Sequence, residues 1–357
     1  MHVKLFCVIL TMCLLLCGCS WMSNNFVSIT PHRNDNATVP SEIITISSYQ
    51  EMVDVIVNLV ENGTDSCVLF AEAYELSDLD WDMRRCIRKI MHNTSVGAYA
   101  VDSIDYEVGT GAGLTTVALE IQYRHGRNEI RQIRCVDTLE SAKDIIENEL
   151  KQFQNSITIR VLNYQKTDFV QLIQNYYNHY PDYMIELPQI AVQVFPETGL
   201  DRIVEIQLSY LTSRDSLKTM QEYTRSVFSS AYLYVIGDTD PHVKFSQLFS
   251  FLMERYEYTF ETSITPAYSL LRHGVGDSKA FASVYARMCN NANLTCYIVS
   301  GTKSGEPHFW NIVQIGDQYY HVDLLSSAAA GGFLLLTDHQ MNGYVWDYSS
   351  YPICGGA

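Results

Sequence analysis

Gly276-Asp277-Ser278, His308-Phe309-Trp310-Asn311 and Tyr320-His321-Val322-Asp323 decide how the last third of this chain folds. Asp277 is a good helix cap and Gly276 permits a tight turn before it, so Ser278 opens a helix. Phe281, Ala282, Tyr285, Met288 and Cys289 recur at three- and four-residue steps and give the helix from Ser278 to Cys289 a core face. Cys296 to Gly301 reads as a strand ending in a turn. His308 follows a Gly-Glu-Pro loop and opens a second strand, Phe309 to Ile315. Gly316-Asp317 makes a hairpin turn into a third strand, Gln318 to Val322, with Asp323 at its end. Adjacent antiparallel strands bring His308 beside Asp323, and the helix start packs against them. A helix start favours an anion and presents N–H groups to an oxyanion. A nucleophile oriented by a histidine, itself oriented by an acid, is the general logic of covalent acyl chemistry. The candidate catalytic residues are therefore Ser278, His308 and Asp323.

The segment from Gly274 to Asp323 resembles the transglutaminase-like domain of the papain-like cysteine-peptidase superfamily. The resemblance rests on Gly274 to Ala286, Met288-Cys289-Asn290, the Cys296 to Gly301 strand, His308-x-Trp310-Asn311 and Tyr319-Tyr320-x-Val322-Asp323, and extends over Thr239 to Cys354. It implies an α+β chain whose C-terminal domain packs helices on an antiparallel sheet. It also implies that His308 is the general base, that Asp323 is its orienting acid, and that Ser278 stands where the family has a cysteine. The chain departs from the family in three places. The nucleophile is Ser278, Lys279-Ala280-Phe281 follows it where a Gly-Tyr pair is common, and Leu324-Leu325-Ser326 follows Asp323 in place of Thr-Trp.

The serine matters because partners can lower a cysteine pKa from about 8.5 to roughly 3–4, giving a thiolate at neutral pH. A hydroxyl must instead lose its proton during attack. No other cysteine replaces it: Cys289 lies 11 residues along the same helix, about 16 Å away, and Cys296 lies beyond that. The reading is a catalytically impaired domain that binds peptide or protein; the alternative is an active peptidase, amidase or acyl-transferase using Ser278, His308 and Asp323. A purely structural envelope protein is a third class. His321 reads as a surface or packing residue and Trp310 as structural.

Upstream, the sequence shows an internal repeat. Ile44-Thr45-Ile46 and Ile157-Thr158-Ile159 open two copies, each followed by an amphipathic helix (Tyr49 to Val60; Thr167 to Tyr177) and an alternating strand pair that closes on Glu-Ile-Gln, at Glu120 and at Glu205. The expected organisation is a signal peptide over 1–19, a flexible tether over 20–42, α+β modules over 43–153 and 154–236, and the transglutaminase-like domain over 237–357.

At the N-terminus, Lys4 precedes an apolar run from Leu5 to Leu16, too short to span a bilayer as a helix. Leu16-Cys17-Gly18-Cys19 resembles a lipobox, which makes Cys19 the lipidation site. The expected location is the extracytoplasmic face of a bacterial membrane, with a peptide or protein of the cell envelope as partner. Of ten cysteines, Cys67, Cys86, Cys135, Cys289, Cys296 and Cys354 remain after processing and form no CxxC pair, which disfavours zinc; neither a metal nor a cofactor is expected, and the disulfide pairing stays open. A net charge of −16 with no Lys/Arg cluster argues against nucleic acid. Gly109 to Gly113 lacks the Lys-Ser/Thr of a phosphate loop and reads as a hairpin. The tyrosines Tyr176, Tyr177, Tyr180 and Tyr183 fit either a packed helix end or a binding surface.

Overall fold

The two upstream sheets follow one plan. A short strand, a capped helix and a central strand are followed by helical material and then an antiparallel hairpin whose second arm returns to pair with the central strand. In the first sheet these are β1 (Ile44–Ile46), α1 (Tyr49–Glu61), β2 (Ser66–Ala71), α2 (Leu76–Asn93), α3 (Ser95–Ala100), β3 (Val101–Gly111) and β4 (Leu114–Tyr123), in the order β1-β2-β4-β3. In the second, which follows α4 (Arg127–Gln132), they are β5 (Arg134–Val136), α5 (Leu139–Lys151), β6 (Ser156–Val161), α6 (Phe169–His179), β7 (Gln189–Phe195) and β8 (Arg202–Ser209), in the order β5-β6-β8-β7. This computed structural model describes residues 44–355 apart from 72, 73, 75 and 112. The expected signal peptide, Cys19 and the tether lie outside the described residues.

The repeat is therefore present, but its frame differs from the sequence reading. Ile157–Ile159 lies in β6, which corresponds to β2 and not to β1. The true partner of Ile44–Ile46 is β5, and β5 and α5, read as the end of the first module, belong to the second sheet. Three-residue β5 carries too little periodicity to announce itself. The closing strands β4 and β8 do correspond, and the glycine-rich stretch joins β3 to β4 at Gly111↔Leu114 as a hairpin.

Beyond them come the helices α7 (Arg214–Val235), α8 (Pro241–Met253), α9 (Pro266–His273) and α10 (Ser278–Asn291). A two-stranded parallel piece, β9 (Glu257–Tyr258) with β10 (Val275–Gly276), leads into α10. The helices gather on a third sheet, formed by β11 (Cys296–Lys303), β12 (Glu306–Ile315), β13 (Gln318–Val322) and β14 (Tyr344–Trp346), in the order β13-β12-β11-β14. A short helix, α11 (Leu324–Ala329), follows β13. The architecture is α+β. Phe228, Ala231 and Val235 of α7 share one buried cluster with Phe245 and Leu252 of α8, Phe281 and Tyr285 of α10, and Val313 and Val322 of the sheet. Burying side chains of this size stabilises the fold by roughly 1.5–3 kcal/mol each.

The second module packs on α10, the helix that carries Ser278. Arg287 of α10 makes a bidentate pair with Asp182 at 2.8 and 2.9 Å, and both side chains are largely buried. Its guanidinium also lies over the rings of Tyr180 and Tyr183. The tyrosine group is thus a packed helix end. The described residues from Thr45 onward form one compact unit. None of the described helices is long and apolar enough to cross a membrane.

Candidate active site

Asp277 caps α10, as its sequence predicts: one carboxylate oxygen accepts from Ala280 N–H at 2.8 Å and the other from the Thr262 hydroxyl at 2.8 Å. Ser278 is the first helical residue and only 8% exposed. Its Oγ accepts a hydrogen bond from the backbone N–H of Phe309 at 3.3 Å. The acceptor is needed there because β13 pairs with β12 only as far as Asn311↔Val322, so Phe309 N–H lies beyond the ladder, and a buried N–H without a partner is costly. Among the described residues, no hydrogen bond joins Ser278 to His308.

His308 lies on β12 opposite Gly301. The register Asn311↔Val322 puts Asp323 across from Trp310, on the same face as His308 and one diagonal step away. Accordingly, His308 Nε2 meets Asp323 Oδ2 at 3.0 Å. With Nε2 taken by the carboxylate, Nδ1 is the nitrogen left for a nucleophile. Alternate residues face α10: Asn311, fully buried, donates to the Ala282 carbonyl at 3.0 Å and to the Tyr297 carbonyl at 3.1 Å, clamping the helix to the sheet. Its own Oδ1 has no partner among the described residues.

Asp323 is 1% exposed and does more than orient the histidine. As the cap of α11 it accepts through Oδ1 from Leu325 and Ser326 N–H at 3.1 and 3.3 Å. Oδ2 receives the Lys303 ammonium at 3.0 Å, the Ser326 hydroxyl at 2.5 Å and the Tyr344 hydroxyl, besides His308. Burial by itself pushes the carboxyl up, but the hydrogen bonds from His308, Ser326 and Tyr344 outweigh it and hold the group well below the ordinary carboxylate range. Burial opposes the charge of Lys303, while Tyr344 and Asp323 more than restore it, so Lys303 is held as a cation.

Lys303, Ser326 and Tyr344 were not anticipated from the sequence. Gly301 reads there as the end of a strand. The structure instead uses a glycine because an added Cβ would fall 2.2 Å from the Val345 carbonyl and 2.8 Å from the Trp310 ring. β11 continues two residues past it and so delivers Lys303 to Asp323. Tyr344 was findable only through β14, whose pairing Gly301↔Trp346 spans a long loop.

His321 forms a second histidine–aspartate pair. It is fully buried, accepts from the Trp310 indole N–H through Nδ1 at 3.0 Å and meets Asp338 Oδ1 through Nε2 at 2.8 Å. It is a packing residue, as expected, though not at the surface. His321, Asp338 and Cys354 also offer atoms close enough for a cation. The set does not suit one. The indole donor fixes Nδ1 as an acceptor, so neutral His321 carries its proton on Nε2, the atom a metal would need. Burial, then Asp338, pushes the Cys354 thiol up to about 12. Cys289 is likewise fully buried and its thiol is pushed well above the ordinary range by burial, so it offers no nucleophile.

A groove of about 1010 Å³ opens beside His308, lined by the apolar Met253, Tyr258, Phe260 and Leu325 and by the charged Lys303 and Glu306. Phe260 is 88% exposed and sits edge-on to Tyr258 at 5.1 Å. The geometry therefore provides an oriented imidazole in the lining of a largely apolar groove, with a buried hydroxyl at the neighbouring helix start.

Residues 231–324 match the Transglutaminase-like superfamily. No curated protein sequence matches the chain. Among solved structures, the chain is similar to a TGase at 11% identity, with a TM-score of 0.27, over 54% of this chain and 58% of that one. It is similar to a proposed cysteine protease from Cytophaga hutchinsonii at 12% identity, with a TM-score of 0.27, over 46% of this chain and 70% of that one. A proposed protease from Parabacteroides distasonis aligns at 7% identity, with a TM-score of 0.24, over 72% of this chain and 40% of that one. The first of these matches spans less than two thirds of the TGase chain.

Proposed function

We propose that this protein is a lipid-anchored, extracytoplasmic binding protein in which a transglutaminase-like domain holds peptide or protein segments of the cell envelope with little or no turnover. One observation carries the reading: the hydroxyl at the nucleophile position, Ser278 Oγ, is occupied by Phe309 N–H. A serine cannot be stored as an oxyanion by a neighbouring imidazole. A lone pair already engaged by a donor is also less available to attack an amide. The groove beside His308, with Tyr258, Phe260 and Leu325 in its lining, takes an apolar side chain of the bound segment. Phe260→Ala weakens peptide binding about fivefold or more while leaving the unfolding midpoint unchanged, because an 88% exposed ring contributes little to the core. Fluorescence anisotropy with labelled apolar peptides measures this; unchanged binding removes the groove from the account.

The second reading is an active amidase or acyl-transferase with Ser278 as nucleophile, His308 as base and Asp323 as orienting acid. The intact His308–Asp323 contact favours it. Incubation of purified protein with peptide amides, with and without an amine acceptor, separates the two. Turnover abolished by both Ser278→Ala and His308→Ala establishes the second.

The anchor rests on Leu16-Cys17-Gly18-Cys19. Cys19→Ser is expected to abolish incorporation of labelled fatty acid and partition into detergent. Retention of both would refute lipidation at that residue.

A further inference from the structure

We propose that Lys303 is a positioning residue that neutralises Asp323 and so withholds from His308 the charge that would stabilise its protonated form. The inference rests on the reading of Ser278, His308 and Asp323 as one site. Lys303 Nζ and His308 Nε2 both converge on Asp323 Oδ2 at 3.0 Å. Lys303 is further tied to the Ser326 hydroxyl at 2.5 Å, and Ser326 and Tyr344 donate to the same carboxylate oxygen. In a nucleophile–histidine–acid site the acid favours the imidazolium that forms when the nucleophile gives up its proton. Here the carboxylate already has a full cationic partner. At this separation, and with the carboxylate 1% exposed, the pairing is little screened.

Among the described residues Lys303 hydrogen-bonds to Asp323 and Ser326 and not to Ser278, so its charge acts first on the carboxylate that holds the imidazole. The other charged and titratable groups around the site do not substitute for it. Asp277 caps α10 and Lys279 lies in its first turn. The Lys279 ammonium sits over the Tyr177 and Phe309 rings at 5.3 and 5.7 Å. Glu306 on β12 and Tyr258 on β9 line the groove. Tyr344 on β14 donates to Asp323 as a neutral hydroxyl. None of these places a second cation on the carboxylate. The site is thus muted twice, once by Ser278 and again by Lys303, and restoring a cysteine alone gives only a partly activated thiol.

The test uses the whole chain bearing Ser278→Cys, with iodoacetamide as the probe. The rate of alkylation at position 278 is read by peptide mapping at pH 6. Combining Ser278→Cys with Lys303→Met is expected to raise the rate about tenfold, the equivalent of one pKa unit in the thiol–imidazole balance. Lys303→Gln, neutral but still able to donate to Asp323, gives the same rise. Lys303→Arg keeps the charge and leaves the Ser278→Cys rate unchanged. A purely structural lysine would not produce this split between charged and neutral replacements. Rates within twofold across the four proteins overturn the proposal while leaving the site reading intact. A Ser278→Cys thiol no faster than Cys289 overturns both. Alkylation of Cys289 in both neutral variants shows that Lys303 only supports the fold, and also overturns it.

Discussion

His308–Asp323 and His321–Asp338 are two histidine–aspartate pairs on one face of the same sheet, both in contact with Trp310, and they do different things. His321 has both ring nitrogens engaged, by the Trp310 indole and by Asp338, and is fully buried. His308 uses one nitrogen on Asp323 and lines an open groove. A carboxylate beside an imidazole is therefore no signature of catalysis. The distinguishing features are a ring nitrogen, His308 Nδ1, with no hydrogen bond among the described residues, and the groove that His308 lines. Here the neighbouring helix start offers a buried serine that is bound to a backbone donor.

The largest effect that separates the pairs is on stability. Asp323 caps a helix and answers a lysine, a tyrosine, a serine and a histidine, so Asp323→Ala should cost about 3–5 kcal/mol. Asp338 is partly exposed and satisfies His321 and the Cys354 N–H, so Asp338→Ala should cost only about 1–2 kcal/mol. Urea unfolding of both variants checks the order, and equal losses would erase the distinction. Next comes reactivity: the thiol of Ser278→Cys should be alkylated at least about tenfold faster than Cys289 in native protein, and His308→Ala should remove the advantage while His321→Gln should not. Competition between the two sites read by mass spectrometry decides it.

The smallest effect is on pH dependence, where the pairs occupy different windows. Burial, against the opposing pull of Asp338, holds His321 below its ordinary value. The unfolded chain, titrating near about 6.5, then binds the proton more readily than the fold. Stability from this pair is present above about pH 6.5 and declines as pH falls below it. Asp323 is also depressed, so its contribution is complete above about pH 4 and is lost in stronger acid. His321→Gln, which keeps an acceptor for Trp310 and a donor for Asp338, should flatten the first window and leave the second. An unchanged slope between about pH 7 and 5 would assign that loss elsewhere.

Much of this was legible in the sequence. Period-two and three-to-four-residue patterns placed α1, α6, α10, β11, β12 and β13 within a few residues, because each presents one face to a core. The Asp277 cap and the His308–Asp323 meeting followed from local signals and a two-residue hairpin. The frame of the repeat did not, because three-residue β5 takes its identity from pairing with β6 and not from its own pattern. Lys303, Ser326 and Tyr344 were missed for a related reason. Tyr344 arrives only when β14 returns to β11, Lys303 only because β11 runs two residues past Gly301, and Ser326 because Asp323 caps a helix there, and none of these shows in a local periodicity. Gly301 misled directly, since a glycine demanded by close approach looks like one demanded by a turn.

The central claim, that the site keeps its architecture without ordinary turnover, is tested most directly by treating the native protein with a fluorophosphonate, which traps activated serines, and mapping the label. The account predicts no modification of Ser278 above that of a heat-denatured control. Stoichiometric labelling of Ser278 that disappears in His308→Ala would contradict it and identify a working serine hydrolase.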